Sequence, residues 1–555
     1  MKKTKIGLIV DSRYSSKYTF DLAKWGQDQN NLEITHLVIQ QIEKKRSSSI
    51  VIRGCNFLLR MGFYHFLSLI LWKLIGKIEA KKISATSHKD HLGIYDLSDV
   101  VPCSIITYPI VSKSGLVHTF SREDIEKLGE ERFDLLIRCG SGILRGDILR
   151  TSRFGVISFH HGDNRINRGG PAGFWEVFYK QSKSGFVIQQ LTEELDGGNV
   201  LLRGAFPTKN YFLLNQANLY NKSNFYMKKL LGEIANTSTL PLPEKQTPYF
   251  NKLFKGPNVN EQLKYIFNLA GRSISAKIEN NVLKKQLRWS VAFSRSNWRS
   301  LVMRRAIKIK NPPGHFLADP FVISENNKEY CFVEDFDYKT KRGCISVYEL
   351  QEKSAVRIGE AITEPFHMSF PYLFRFDSKI YMIPETNEAG EIRLYECTDF
   401  PTGWRLSKVL MSDVSATDTM IFERDGIWWM LTNIDPADVG DHNSELYIFY
   451  SDSPLSSSWV AHSRNPIYIN PEKSRNAGLL FDDRDIFRVS QQMGFQQYGK
   501  SFSINKVTLL NKNVYQEELE CAIEPNFFKN LKGTHHIHSN GNVTVFDYIG
   551  STSLN

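Results

Sequence analysis

Two kinds of hydrophobic pattern open the chain. Residues 5–10 (KIGLIV) are a continuous apolar run, the mark of a strand buried on both faces. Residues 18–27 place Phe20, Leu22, Ala23 and Trp25 at helical spacing, and residues 34–39 (ITHLVI) are apolar again. Strand, helix and strand in that order predict a parallel sheet with helices on its faces. Residues 133–139 (FDLLIRC) and 155–160 (GVISFH) repeat the buried-strand pattern. Residues 186–191 (FVIQQL) and 200–206 (VLLRGAF) predict a hairpin around Asp196-Gly197-Gly198. Residues 215–234 predict a helix, and the polar, proline-bearing TSTLPLPEKQTP after it places a boundary near residue 240. The first strand is followed by DSRYSS with no GxGxxG, so a Rossmann dinucleotide site is not supported.

Residues 57–76 (FLLRMGFYHFLSLILWKLIG) are the most apolar stretch and long enough to span a bilayer. Arg60, His65 and Lys73 interrupt it without gathering on one narrow face, and it falls between strands of one sheet, which argues against a span. Its flanks are basic: Lys44, Lys45, Arg46 and Arg53 before it, Lys77, Lys81 and Lys82 after it. Two readings stay open, a helix lying on an anionic membrane surface and a helix buried against a partner domain.

From about residue 285 short β runs alternate with turns, and a motif recurs. Residues 318–322 (ADPFV), 369–374 (SFPYLF), 416–422 (ATDTMIF), 476–481 (NAGLLF) and 534–539 (THHIHS) open similar units at intervals of 51, 47, 60 and 58. Several continue with a turn and an aromatic-rich strand: EYCFVED, KIYMIPET, GIWWMLTN. A period near 50 in all-β sequence predicts propeller blades. Five openings predict five blades, closed with help from a strand near 287–293.

The 555 residues carry a formal net charge of +11, which favours anionic partners such as phosphorylated substrates or an anionic membrane surface. Aromatics reach 12%, a composition that leans toward β structure or carbohydrate contact. The seven cysteines are odd in number, scattered and without a CxxC pair. They predict neither a disulfide framework nor a zinc site, and no metal is expected; a reducing compartment fits them best. MKKTKIGLIVDS reads as a first strand, since no long apolar run or small-residue cleavage site follows.

The candidate chemistry lies in residues 155–206. His160 and Ser158 end a predicted parallel strand, Arg168-Gly169-Gly170-Pro171 is a turn that opens a helix, and Asp196 precedes two glycines. Singly, a strand-end histidine or a turn aspartate is ordinary. In this order they resemble the formyltransferases that use 10-formyltetrahydrofolate, among them the methionyl-tRNA, glycinamide ribonucleotide and amino-sugar enzymes. The resemblance covers roughly residues 1–235. It implies His160 as stabiliser of the oxyanion, Ser158 assisting, and Asp196 managing the amine proton. It also implies donor contacts at Gly140, Ile143, Leu144, Gly162 and Asp163, and acceptor contacts at Arg168, Gly169 and Gly170. His161 is read as a neighbour and Trp175 as core. Two positions depart from the family: Ser158 replaces an asparagine, and Gly162-Asp163-Asn164-Arg165 replaces Ser-Leu-Leu-Pro. Losing one oxyanion donor typically slows such a reaction ~100- to 1000-fold. The departures therefore predict a slow enzyme, a compensating group, or a changed acyl or one-carbon reaction.

The repeated openings resemble the five-bladed propellers of arabinanase- and invertase-like glycoside hydrolases, and the N-terminal domain of plant glucosamine inositolphosphorylceramide transferases. The propeller candidates are Asp319, Glu385, Asp418, Arg475 and His535, with His536 beside them. A carboxylate pair is what glycoside hydrolysis needs, and the arginine and histidines suit an anionic sugar. The expected architecture is a multidomain α/β plus all-β chain. A formyltransferase-like, mostly parallel sheet with flanking helices fills residues 1–238, with a basic and apolar insertion at about 43–90. A linker with a helix occupies 239–284, and a five-bladed β-propeller 285–555. The expected reaction moves a formyl group from 10-formyltetrahydrofolate to the amine of a nucleotide- or lipid-linked amino sugar, in a cytoplasmic protein at the membrane periphery, without nucleic acid. A propeller-centred glycosidase and a glycan-binding scaffold stay open as rivals.

Overall fold

The computed structural model describes residues 3–42, 50–194, 197–281 and 285–553. The chain divides into two compact units, Met1–Arg272 and Ser273–Asn555.

The first unit is built on a seven-stranded sheet. Its strands are β1 (Thr4–Val10), β2 (Leu32–Gln40), β3 (Cys103–Thr107), β4 (Leu135–Arg138), β5 (Val156–His160), β6 (Lys183–Gln190) and β7 (Asn199–Pro207). The spatial order is β7-β6-β5-β4-β1-β2-β3. The five strands from β5 to β3 run parallel, and β6 and β7 add the antiparallel hairpin. The apolar runs of β1 and β4 are buried because helices cover both faces. Helix α1 (Lys17–Gln27) starts where Ser16 accepts a hydrogen bond from Thr19 N, and α3 (Arg122–Glu130) where Ser121 does the same for Asp124. Both serines give an orphan donor a partner.

The stretch at 57–76 lies within a longer helix, α2 (Ile50–Ile83), whose inner face packs inside its own unit. Trp72 meets Phe174 of α4 (Phe174–Phe178) and Phe212 of α5 (Phe212–Thr237), with ring centroids 5.4 and 5.3 Å apart. Glu79, buried on the same face, accepts from Leu213 N at 2.8 Å and from Tyr265 Oη at 2.5 Å, so α2 caps α5 and holds α6 (Val259–Asn281). Burial raises the pKa of the Glu79 carboxyl.

The first unit extends beyond the boundary read near residue 240, to Arg272. Glu244 N donates to Val200 O of β7, Gln246 Nε2 donates to Gly197 O, and Leu253–Phe254 pairs in parallel with Arg168–Gly169. The segment looked like a linker because every one of these partners is distant in sequence.

In the second unit four sheets of consecutive antiparallel strands begin at His315–Glu325, Ser369–Phe376, Ala416–Arg424 and Asn476–Asp482; three have four strands, and the third adds Tyr468–Ile469 as a fifth. A fifth sheet joins Lys285–Ser294 to Thr544–Ser553 along ten register pairs, so the two ends of the unit close one blade. Ile537–Ser539 completes the fifth blade, and the five opening strands contact one another in a closed ring. The fold is a five-bladed propeller, with the closing strand where the sequence placed it.

The Glu79 network generates a stability prediction. Glu79→Ala leaves buried donors at Leu213 and Tyr265 without an acceptor and should lower the stability of the first unit by about 2–4 kcal/mol in urea denaturation. Glu79→Gln keeps an acceptor oxygen and should cost less than half of that loss; equal losses would defeat the assignment.

Candidate functional site

β5 is buried until its last residues, where the chain turns polar at the carboxyl edge of the sheet. His160 Nε2 lies 2.9 Å from Asn167 O. A carbonyl accepts only, so Nε2 carries the proton and Nδ1 is the acceptor in the neutral ring. Asn167 in turn donates to the buried Glu176 at 3.1 Å. The loop that replaces the family's Ser-Leu-Leu-Pro is thus a folded turn that fixes the tautomer of His160. Within it Asp163 accepts from Arg165 N at 3.1 Å and pairs with Arg203 of β7.

Ser158 is buried, donates to Phe159 O at 3.1 Å and accepts from Arg138 Nη1 at 3.4 Å. Arg138, which also donates to Gly142 O, sets a guanidinium where the family's asparagine is missing. The sequence reading missed it, although an arginine ending the apolar run FDLLIRC was the available signal. Gln189 was missed too. It is the register partner of Ser158, and its buried Oε1 has no hydrogen-bond partner among the described residues. That atom is 3.1 Å from where a Cβ on Gly198 would stand.

Two cavities flank this edge. One of about 240 Å³ is lined by Ser158, Arg138, Gly140, His161, Tyr18 and Tyr220, among others. His161 stacks between Phe159 and Tyr220, and burial pushes its pKa down to about 3, so the ring is neutral. The second, of about 400 Å³, has Arg168, Asn164 and Arg203 on one side and Gly197 and Gly198 on another. The structure therefore brings the Arg-Gly-Gly turn to the glycines that follow Asp196. Asp196 itself is outside the described residues, as are Lys44, Lys45 and Arg46. His160 is not among the residues lining either cavity.

Of the predicted donor contacts, Gly140 lines the smaller cavity and abuts Asp11, whose carboxylate accepts from Ser141 N at 2.9 Å. Gly142 has φ +82° and faces His118 so closely that a Cβ would lie 2.3 Å from the ring. Ile143 N donates to Leu116 O at 2.7 Å, and Leu144 turns into the core. Gly169 has φ +100°, and a Cβ there would meet Phe254 O at 2.1 Å. Trp175 is buried and donates to Gly170 O at 3.2 Å.

In the propeller all five predicted residues converge. His535 Nε2 is 3.1 Å from Asp319 and its Nδ1 2.8 Å from Asp547. Arg475 Nε is 2.6 Å from Asp418, and Nη2 lies 3.7 Å from Glu385. Asp319 and Asp418 stand at matching bulges with φ +48° and +49°. Burial pushes the Glu385 carboxyl up to about 8, with the Asp418 charge adding to it. The carboxylates on either side of His535 outweigh its burial and raise it to about 10. Among the described residues, Asp319, His535 and Asp547 also have the spacing of a metal-ligand set. Glu334 and Asp547 were missed. Glu334 lies opposite Ala318 as Glu385 lies opposite Ser369, so EYCFVED held the signal already read in KIYMIPET.

Residues 282–542 match the family profile described as glucosamine inositolphosphorylceramide transferase 1, N-terminal. The Arabidopsis thaliana protein of that name is 36% identical over 219 residues, 38% of this chain and 28% of its own length. The chain thus spans under a third of the plant relatives it matches. Methionyl-tRNA formyltransferase of Bacillus subtilis (strain 168) is 24% identical over 238 residues, 40% of this chain and 71% of that protein. The first unit is formyltransferase-like. The second is similar to the N-terminal domain of the plant transferases. The catalytic domain of a Coprinopsis cinerea GH62 α-L-arabinofuranosidase aligns with a TM-score of 0.34 at 12% identity, over 48% of this chain and 97% of its own.

The propeller cluster predicts a pH response. Glu385 and His535 hold their protons more tightly folded than unfolded, so their contributions are complete at low pH and fade as it rises. For Glu385 the loss runs from about 4.5 to about 8, and for His535 from about 6.5 to about 10. Calorimetry should show the second unit melting at progressively lower temperature between about pH 6 and about pH 10. Glu385→Gln should flatten the lower part of that slope. A melting temperature that rises over the interval would refute the assignment.

Proposed function

We propose that the first unit transfers a formyl group from 10-formyltetrahydrofolate to the primary amine of an amino sugar carried on a nucleotide or a lipid. The observation carrying this reading is the cavity shared by the Arg168 turn and Gly197-Gly198. In the reaction the amine attacks the formyl carbon, a C–N bond forms and the carbonyl oxygen becomes negative. Collapse breaks the bond to N10 of the folate, which takes up a proton as the amine loses one.

The residues present suit that donor. Gln189 Oε1 is a buried acceptor of the kind a pterin N–H group satisfies. Arg168, Arg203 and Lys245 give the larger cavity cationic groups suited to the phosphates that carry the acceptor sugar. His160, with Nε2 held by Asn167, is oriented to accept or return a proton at Nδ1. Arg138 supplies positive charge beside Ser158, and Asp196 remains the candidate for the proton relay.

Isothermal titration with 5-formyltetrahydrofolate, a stable stand-in for the donor, should show micromolar binding to the whole chain. In a transfer assay with nucleotide-linked amino sugars, His160→Ala should lower kcat ~100- to 1000-fold, and Arg138→Met should slow transfer by a similar factor. A well-folded protein that binds no folate would sink the reading.

A second reading, a propeller that processes a glycan, is favoured by one arrangement: a protonated Glu385 near an Arg475-bound Asp418. Asp319→Asn and Asp418→Asn separate the two. Loss of glycan turnover with folate irrelevant would favour the propeller, and unchanged formyl transfer would favour the first unit.

A further inference from the structure

The outer face of α2 is apolar where it meets water. Phe66, Ile70, Leu74 and Ile78 recur at every fourth position and are 36%, 46%, 46% and 49% exposed, and Phe63, three residues before Phe66, is 80% exposed. A step of four residues drifts only about 40° around a helix, so these side chains form one slowly winding stripe. Ile75, Glu79 and Ile83 are buried on the opposite side, so the exposed stripe is additional to the face that builds the core. Single exposed apolar residues are ordinary, but five on one helix face form a patch that needs a partner.

Charge indicates which partner. Lys73, Lys77, Lys81 and Lys82 are exposed along the same helix. The one acid between residues 50 and 83, Glu79, is buried and hydrogen-bonded to Leu213 and Tyr265. The exposed surface of α2 is thus apolar and cationic, with no acid to soften it. A second copy seated on this stripe would bring lysines against lysines, which opposes a symmetric contact. Among the described residues no helix is long and apolar enough to cross a membrane.

We propose that α2 seats the protein on an anionic lipid bilayer, lying in the plane of the interface. Phe63, Phe66, Ile70, Leu74 and Ile78 would enter the acyl region, with the lysines at the level of the phosphates. The inference goes beyond formyl transfer and stands on different residues, so either can fail without the other.

The test is flotation of the full chain with vesicles of phosphatidylcholine alone and of phosphatidylcholine with phosphatidylglycerol, at low and high salt. The wild type should float with the anionic vesicles, less so at high salt, and poorly with the neutral ones. Lys73→Gln/Lys77→Gln should weaken binding about tenfold or more, and Ile70→Ser/Leu74→Ser should weaken it at least as much. Both pairs are exposed, and circular dichroism confirms that each variant keeps its fold. Failure to float with anionic vesicles, or variants that float like the wild type, would overturn the proposal. So would ultracentrifugation showing a dimer that the apolar variants dissociate, since the stripe would then be covered by a second copy.

Discussion

A charge taken out of water is destabilising by several kcal/mol unless opposite charge or fixed donors meet it. The propeller shows both a closed and an open answer to that constraint. Arg488 and Glu517 are fully buried 2.8 Å apart, with Tyr515 and the carbonyls of Lys473 and Ser474 completing the set, and this pair is purely structural. The channel cluster does not balance in the same way. Asp319, Glu334, Glu385, Asp418 and Asp547 face Arg475 and His535, so five acids meet two cations. Such an excess is resolved by holding protons, and the raised pKa values of Glu334 and Glu385 are where they are held. A group poised in this way can exchange a proton with a ligand, which the Arg488–Glu517 pair cannot.

The same constraint shapes the edge of the first unit's sheet. β4 and β5 are apolar until Arg138, Ser158 and His160; Arg138 and His160 find partners in loops that fold back over the edge, and Ser158 accepts from Arg138 on the neighbouring strand. The loop after β5 would otherwise be a free connection. Its Asp163 is tied to Arg203 and its Asn167 to Glu176, so the histidine stands on a rigid support. Rigid support is what a reaction centre needs if its donors are to face developing charge without reorganising.

The sequence made the fold legible where the pattern was local or repeated. Apolar runs located the strands of the parallel sheet, and the period near 50 located the blades. The terminal strand closure was legible because Lys285–Ser294 is a lone β run with no unit of its own. What stayed hidden depended on distant partners. Asp547 sits in a closing strand whose sequence carries no repeat signal, and its carboxylate acts on His535 and Asp319 from another turn of the chain. Arg138 read as a strand-end residue because its role depends on Ser158, twenty residues on and across the ladder. The segment from 239 to 254 read as a linker because its hydrogen bonds reach back to β7 and the glycine turn.

The bulges at the blade openings show why fold was easier to read than chemistry. The register slips at Asp319, Phe370 and Asp418 alike, and all three residues adopt φ near +47°, at 48°, 46° and 49°. An aspartate tolerates that backbone conformation, whereas for a phenylalanine it is an outlier that only a constraining environment sustains. Phe370 is held by edge-on contacts with Phe321 and His536 at 5.0 and 5.3 Å. Its blade keeps the backbone device that aims a side chain inward but gives up the carboxylate. The bulge therefore belongs to the architecture, and the residue placed on it decides what the channel can do. A repeat detected at the level of pattern announces five equivalent positions, and the packed structure reveals what the charge at each of them meets.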